Sequence, residues 1–401
     1  MKKRLLVMAM AGVALAGCVS DEVAEVAQKN EKQKITFGTP LSYDNSSRAN
    51  VTGEISNPYP IKENFTIYAT EYKSGEYAGW GNEAADFNNK TVTFDESVDG
   101  WAPKTDANKY YYWTDGMDMA FAACSPAELG QGYGTKSYGA SGLTIENFKV
   151  NPVSKEQYDL MFSKRIYDVN ASNLTKVEGQ YSGIQLIFQH ALSSIHFSIC
   201  NETLKNEDVS RQVAITLKDI TVSGVYDTGN FTENINEGKT GSYDKSYDKT
   251  TGGNVSPKWE NTEQISTSVY DAFDAGELGL EFPSVQQYVS KYIEKNEELY
   301  PANQGKYGTA TPLLLLPQTL PDEACIKVIY KIEGEDENKT KTVYFKDLKD
   351  EMGNALSSSW AIGTKYTYRL IYTDETAKKD RIYFAPSVED WVNGGIISVY
   401  L

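Results

Sequence analysis

The chain has 401 residues, with 39 Lys or Arg against 55 Asp or Glu, for a formal charge of −16 at neutral pH. That balance excludes a protein that meets nucleic-acid phosphates with a basic face, or one held to anionic lipid by charge alone. Two histidines and four cysteines are too few for a multi-metal or zinc-ribbon protein, and 28 tyrosines, 14 phenylalanines and six tryptophans are too many for a disordered chain.

At the start, Lys2, Lys3 and Arg4 precede an apolar run, Leu5 to Leu15, that is too short to span a bilayer. The run ends in Leu15-Ala16-Gly17-Cys18. Small residues suit a signal peptidase, and the cysteine behind them resembles a bacterial lipobox, in which the thiol is acylated and becomes the mature N-terminus. Residues 1–17 are expected to be a signal peptide and Cys18 the lipidation site of an outer-membrane lipoprotein. Ser20-Asp21-Glu22 resembles a surface-export signal, and residues 18–34 read as a polar tether. Loss of Lys2, Lys3 and Arg4 leaves the mature chain three charges more negative. Cys124, Cys200 and Cys325 then remain in apolar or strand-like runs, and three buried free thiols are expected.

Beyond the tether, period-two patterns recur. Phe65, Ile67 and Ala69 share a face, as do Ile195, Phe197 and Ile199. Val213, Ile215 and Leu217 are in phase, whereas Ile220 and Val222 continue one residue out of phase, which predicts a bulge near Lys218-Asp219. Ile326, Val328, Tyr330 and Ile332 alternate, and so do Tyr366, Tyr368, Leu370 and Tyr372. Pro312 and Pro317 bracket Leu313 to Leu316, a short strand expected to be buried on both faces. One segment differs: Val285, Tyr288, Val289, Tyr292 and Ile293 have helical spacing behind a Ser284/Gln287 capping box. Many short strands between turn signals predict an all-β chain built from antiparallel sandwiches. The expected division is 35–178 and 179–401, with the boundary in a polar, glycine-containing stretch near Val177 to Tyr181.

Catalytic patterns are missing. His190 and His196 lie six residues apart, about 20 Å along one continuous strand, too far to share a metal. Gly130-Gln131-Gly132-Tyr133-Gly134-Thr135-Lys136-Ser137 has a threonine where a phosphate loop needs its second glycine, and reads as a flexible loop. No two of the many carboxylates fall in a recognisable pair. The expectation is no enzyme, no cofactor and no metal. Trp113, Trp360 and Trp391 read as core anchors with a partner for the indole N–H, and His190 as a buried hydrogen bonder.

Several local patterns, in order, resemble the fimbrillin-like proteins, subunits of type V pili. They are Ile35-Thr36-Phe37; Tyr110 to Trp113 followed by Met119 to Pro126; Tyr158 to Met161; Leu186 to Ile195; Leu313 to Gln318; Trp360 to Tyr368; and Val388 to Trp391. The Leu186–Ile195 stretch, with Phe188, His190, Ala191, Leu192 and Ile195 in the family's strand pattern, is the most specific.

The resemblance implies two transthyretin-like β-sandwich domains and a lipoprotein carried to the cell surface and into a fimbrium. It also implies an Arg-specific protease that removes the N-terminal segment with its first strand, and a strand from another subunit that fills the groove. In this chain Ile35 and Phe37 belong to the removable strand. Arg48, followed by Ala49 in a polar stretch, is the candidate processing site. Gly394-Gly395 precedes Ile396-Ile397-Ser398-Val399-Tyr400-Leu401, a β-prone run that serves either as donor strand or as the last strand of its own sandwich. The expected partners are other pilus subunits, the protease, lipid at Cys18, and a host or bacterial surface receptor or glycan. Stalk, tip-adhesin and anchor roles remain open, as does a carbohydrate-binding surface lipoprotein that never polymerises.

Overall fold

The computed structural model describes residues 33–38, 64–77, 79–80, 88–163, 165–172, 183–186, 188–201, 213–235, 257–262, 264–274, 280–282, 309–310, 312–348, 358–372 and 382–390. Cys18, Arg48, Ala49, the helical pattern at 285–293, Trp391 and the run 394–401 lie outside the described residues.

Among the described residues the chain is all-β, with two short 3-10 turns, Ser154–Glu156 and Phe345–Asp347. The first eleven strands are β1 (Phe37–Gly38), β2 (Phe65–Lys73), β3 (Lys90–Asp95), β4 (Gly100–Pro103), β5 (Met117–Ser125), β6 (Thr135–Gly139), β7 (Gly142–Lys149), β8 (Met161–Ser163), β9 (Ile166–Val169), β10 (Ile184–Gln185) and β11 (Phe188–His190). They are followed by β12 (Ser193–Asn201), β13 (Ile215–Ser223), β14 (Thr228–Thr232), β15 (Lys258–Asn261), β16 (Val269–Asp274), β17 (Leu280–Phe282), β18 (Thr309–Ala310), β19 (Leu313–Leu315), β20 (Gln318–Thr319), β21 (Cys325–Ile332), β22 (Asn338–Tyr344), β23 (Ser359–Trp360), β24 (Thr364–Tyr372) and β25 (Ile382–Asp390).

A nine-stranded sheet runs β10-β1-β4-β3-β2-β5-β8-β11, with β9 also on β5. Its path begins on β10 and ends on β11, two successive strands only two residues apart in the chain. The sheet therefore returns on itself, and β1 fills the place between β4 and β10. Phe65, Ile67 and Ala69 of β2 face the core inside this sheet, with Phe37, Trp101, Phe121 and Phe188. The opposite face of β2 is covered too, because Tyr68 joins a second, larger core. Alternation in the sequence thus marks two different cores rather than one core and solvent.

The larger core lies between a four-stranded sheet, β19-β12-β24-β25, and a six-stranded sheet, β18-β16-β13-β21-β22 with β17 on β13. Ile326, Val328 and Tyr330 face it, as do Tyr366, Tyr368, Leu370 and Tyr372, and Leu313 to Leu316 are buried throughout. The phase change in β13 is resolved as expected: its register against β21 shifts between Leu217 and Asp219, so Ile215, Leu217, Ile220 and Val222 all point inward. A further four-stranded sheet joins the hairpin β6–β7, from ahead of residue 178, to β14 and β15 beyond it.

Three expectations need correction. Residues 186–195 form two strands: His190 pairs with Met161 in the nine-stranded sheet, whereas Ser193 pairs with Leu315 in another. The break falls at Ala191-Leu192, where the Ala191 N–H turns to the Leu160 carbonyl. Residues 130–137 are not all loop, since β6 begins at Thr135 and the Lys136 ammonium is spent on the Pro126 carbonyl at 2.7 Å. Cys124 is buried, but Cys325 is only half-buried, on the outer side of β21 beside Ser223 Oγ at 3.4 Å. The Cys200 side chain lies outside the described residues.

Candidate functional site

The site is the seat of residues 33–38. Alternation places Ile35 and Phe37 on one face, and both side chains are 0 % exposed. Phe37 meets Phe121 edge-on at 5.5 Å and Phe65 at 6.1 Å. Lys34 points the other way, its ammonium 4.2 Å from the Tyr110 ring centre. Burial of the two apolar side chains contributes on the order of 2–3 kcal/mol each.

Backbone bonds tie the segment on both sides. Toward one side, the Ile35 N–H donates to the Tyr111 carbonyl at 2.9 Å and the Trp113 N–H to the Gln33 carbonyl at 3.1 Å, and Phe37 pairs with Trp101 of β4. Toward the other, the Ile184 N–H donates to the Thr36 carbonyl at 2.8 Å, and Phe37 runs parallel to Ile184. A short segment with large buried side chains and open ladders on both flanks has the form of an added strand. Were it absent, these main-chain groups of β4, β10 and 111–113 would be unpaired.

The walls are built to fit it. Gly183 has φ +114°, and a Cβ there would lie 2.2 Å from the Thr36 oxygen. Only a bare backbone lets the parallel strand come so close. On the opposite wall, residues 104–113 are held by Asp95. Its carboxylate takes the Lys104 ammonium at 2.6 Å, the Tyr110 hydroxyl at 2.7 Å and the Ser97 hydroxyl at 2.7 Å. Those partners, Lys104 first, hold the Asp95 carboxyl well below the usual carboxylate range. The network fixes the loop whose Tyr111 and Trp113 bond to the first segment.

Trp113 does not meet its expectation in full. It is an anchor, 5 % exposed and edge-on to Phe121, but its indole N–H has no partner. Trp360 does, donating to the Tyr368 hydroxyl at 2.9 Å. His190 bonds through Nδ1 to Asp159 at 2.8 Å. His196 Nε2 lies 2.8 Å from Ser194 Oγ, and burial, with the like charge of Lys365, lowers its pKa to about 3. The structure puts the two histidines in different sheets. Among the described residues no group of three or more His, Cys, Asp or Glu side chains converges as a metal site would require.

Sequence reasoning located Ile35 and Phe37 but missed the walls. Trp101 stands in a four-residue strand without alternation, and Ile184 in one of two. Gly183, directly ahead of Ile184 and the apolar run 186–188, was the one visible signal, and it reads equally well as an ordinary linker glycine.

The fimbrillin-like family model matches residues 48–391. No curated protein matches the chain. A solved structure of a candidate cell adhesion protein from Bacteroides uniformis is 13% identical, covering 89% of this chain and 99% of its own, with a TM-score of 0.47. A candidate adhesin from Bacteroides thetaiotaomicron is 10% identical, covering 92% and 98%, with a TM-score of 0.37.

Proposed function

The chain belongs to the fimbrillin-like family, and from that premise we propose that it is a structural subunit of a surface fimbrium, exported as a lipoprotein on Cys18 and polymerised by strand exchange in support of adhesion. An Arg-specific protease cuts between Arg48 and Ala49 and frees the segment bearing Ile35 and Phe37. The emptied seat then takes a strand from a neighbouring subunit, with Ile396, Ile397, Val399, Tyr400 and Leu401 as the donor run. Such a contact is head-to-tail and does not close, so it propagates a filament.

The observation that carries this reading is the position of residues 33–38, whose strand β1 lies between β4 and β10 in the nine-stranded sheet and whose Ile35 and Phe37 side chains are fully buried. A strand in that position stabilises the monomer while it stays and leaves an open, apolar seat when it goes. N-terminal sequencing and intact mass of protein sheared from cells, with denaturing gels run boiled and unboiled, test the proposal. A start at Ala49 and an unboiled ladder support it. An acylated Cys18 at the start and no ladder would defeat it.

A further inference from the structure

The hairpin β6–β7 is bound from two directions. β7 pairs with β14 from Thr228 opposite Lys149 to Thr232 opposite Thr144, with a register shift between Gly229 and Phe231. The inward side chains of β6 instead reach the nine-stranded sheet and the chain just past it: the Tyr138 ring stacks on Tyr68 of β2 at 4.6 Å, and the Lys136 ammonium donates to the carbonyl of Pro126, directly after β5. The turn between the strands is gripped on one side by Arg165, whose Nη2 donates to the Gly139 carbonyl at 2.7 Å and whose guanidinium lies 4.2 Å from the Trp80 ring centre.

On the other side stands Glu233, just past the end of β14 and 0 % exposed. Its Oε2 accepts the Leu143 N–H at 2.9 Å, and its own N–H donates to the Leu143 carbonyl at 2.8 Å. The Ile235 N–H donates to the Ser141 carbonyl at 2.9 Å. Oε2 packs on the bare backbone of Gly142, where a Cβ would lie 2.5 Å away. Oε1 is buried with no hydrogen-bond partner. A neutral carboxyl tolerates that position far better than a carboxylate, which needs both oxygens solvated.

We propose that Glu233 makes this junction a proton-operated latch: while its carboxyl is protonated the turn at 139–142 stays seated on the end of β14, and ionisation releases it. The released turn lets water reach Oε1, at the cost of the three hydrogen bonds just named, two between backbone groups and one from the Leu143 N–H to the carboxyl. The titratable or charged groups acting on this corner are Arg165, ahead of β9; Tyr138, on β6; and Cys124, on β5, which Lys136 also influences. Tyr138 and Cys124 are themselves raised by burial, Cys124 to about 11, so both stay neutral near pH 7 and the Arg165 charge is constant. Burial lifts Glu233 to about 7, against the pull of the Leu143 N–H and of Arg165.

The test is hydrogen exchange on the full chain at pH 5.5 and 8.5, corrected for the intrinsic pH dependence of exchange, with Glu233→Gln alongside. Linkage between a seated carboxyl near 7 and a released one near 4.5 predicts about a 30-fold loss of protection at the Leu143, Glu233 and Ile235 amides of the wild type. Glu233→Gln is expected to hold its protection at both values. Unchanged protection in the wild type, or an equal loss in the variant, would overturn the latch. Should the variant fail to fold, the carbon resonance of the wild-type Glu233 carboxyl decides: a midpoint near 7 supports the latch, and one near 4.5 refutes it.

Discussion

Gly183 and Thr36 approach so closely that a single methyl group on the glycine would lie 2.2 Å from the Thr36 carbonyl oxygen. Gly183→Ala is therefore expected to unseat residues 33–38, lowering stability by about 2 kcal/mol or more. Gly75 separates this clash from the strain of a positive φ alone, since its φ is +79° and a Cβ there meets nothing within 4 Å. Gly75→Ala should cost about 1 kcal/mol. Urea midpoints of the two variants check the difference, and equal costs would mean that the close approach is immaterial.

Phe37 tests the seat from inside. Phe37→Ala removes a ring packed against Phe65 and Phe121 and should cost about 3–5 kcal/mol. Tyr112→Ala, on the outer side of the same seam and 43 % exposed, should change stability by less than about 0.5 kcal/mol. Denaturant titration followed by exchange at the Ile184 amide reads both.

The two anchoring tryptophans make a matched pair. Trp360 gives its indole N–H to Tyr368, whereas the buried Trp113 N–H finds no acceptor. Trp360→Phe should therefore be more destabilising than Trp113→Phe by about 1 kcal/mol, the net worth of a buried hydrogen bond. Parity in melting experiments would show that the indole donors do not matter.

His196 sets an acid limit. Its pKa falls from an ordinary 6.5 to about 3 in the fold, so the unfolded chain binds the proton first. Its contribution is intact above pH 6.5 and is lost as the pH falls toward 3. Between pH 7 and 5 the wild type should lose about 2 kcal/mol more than His196→Gln. Denaturation of both proteins across that range provides the check, and parallel curves would remove His196 from the acid response.

The sequence carried the fold class, since strands such as β21 and β24 alternate over eight or nine residues and face a single core. It carried the bulge of β13 as well, because one residue out of phase has one cheap structural remedy. It did not carry the closure of the nine-stranded sheet. That depends on strands of two to four residues, β1, β4, β10 and β11, whose faces are too short to leave a period. Nor did it show that Tyr68 and Phe65, three residues apart on one strand, serve different cores. Ile35 and Phe37 stood out by resemblance to a family pattern, while their partners Trp101, Tyr111 and Ile184 are joined to them only in space. Glu233 was invisible for the same reason: a carboxylate at a strand end reads as a surface group until the hairpin that covers it is in place.

In the proposed assembly, a strand of another subunit replaces the closing segment 33–38. The most direct measurement is controlled cleavage of the purified full chain by an Arg-specific protease, followed by intact mass and light scattering. Strand exchange predicts a product beginning at Ala49, loss of the fragment bearing Ile35 and Phe37, and growth of multimers that survive unboiled denaturing gels. A chain cut at that point that keeps its fragment, or sheds it and stays monomeric, would contradict it.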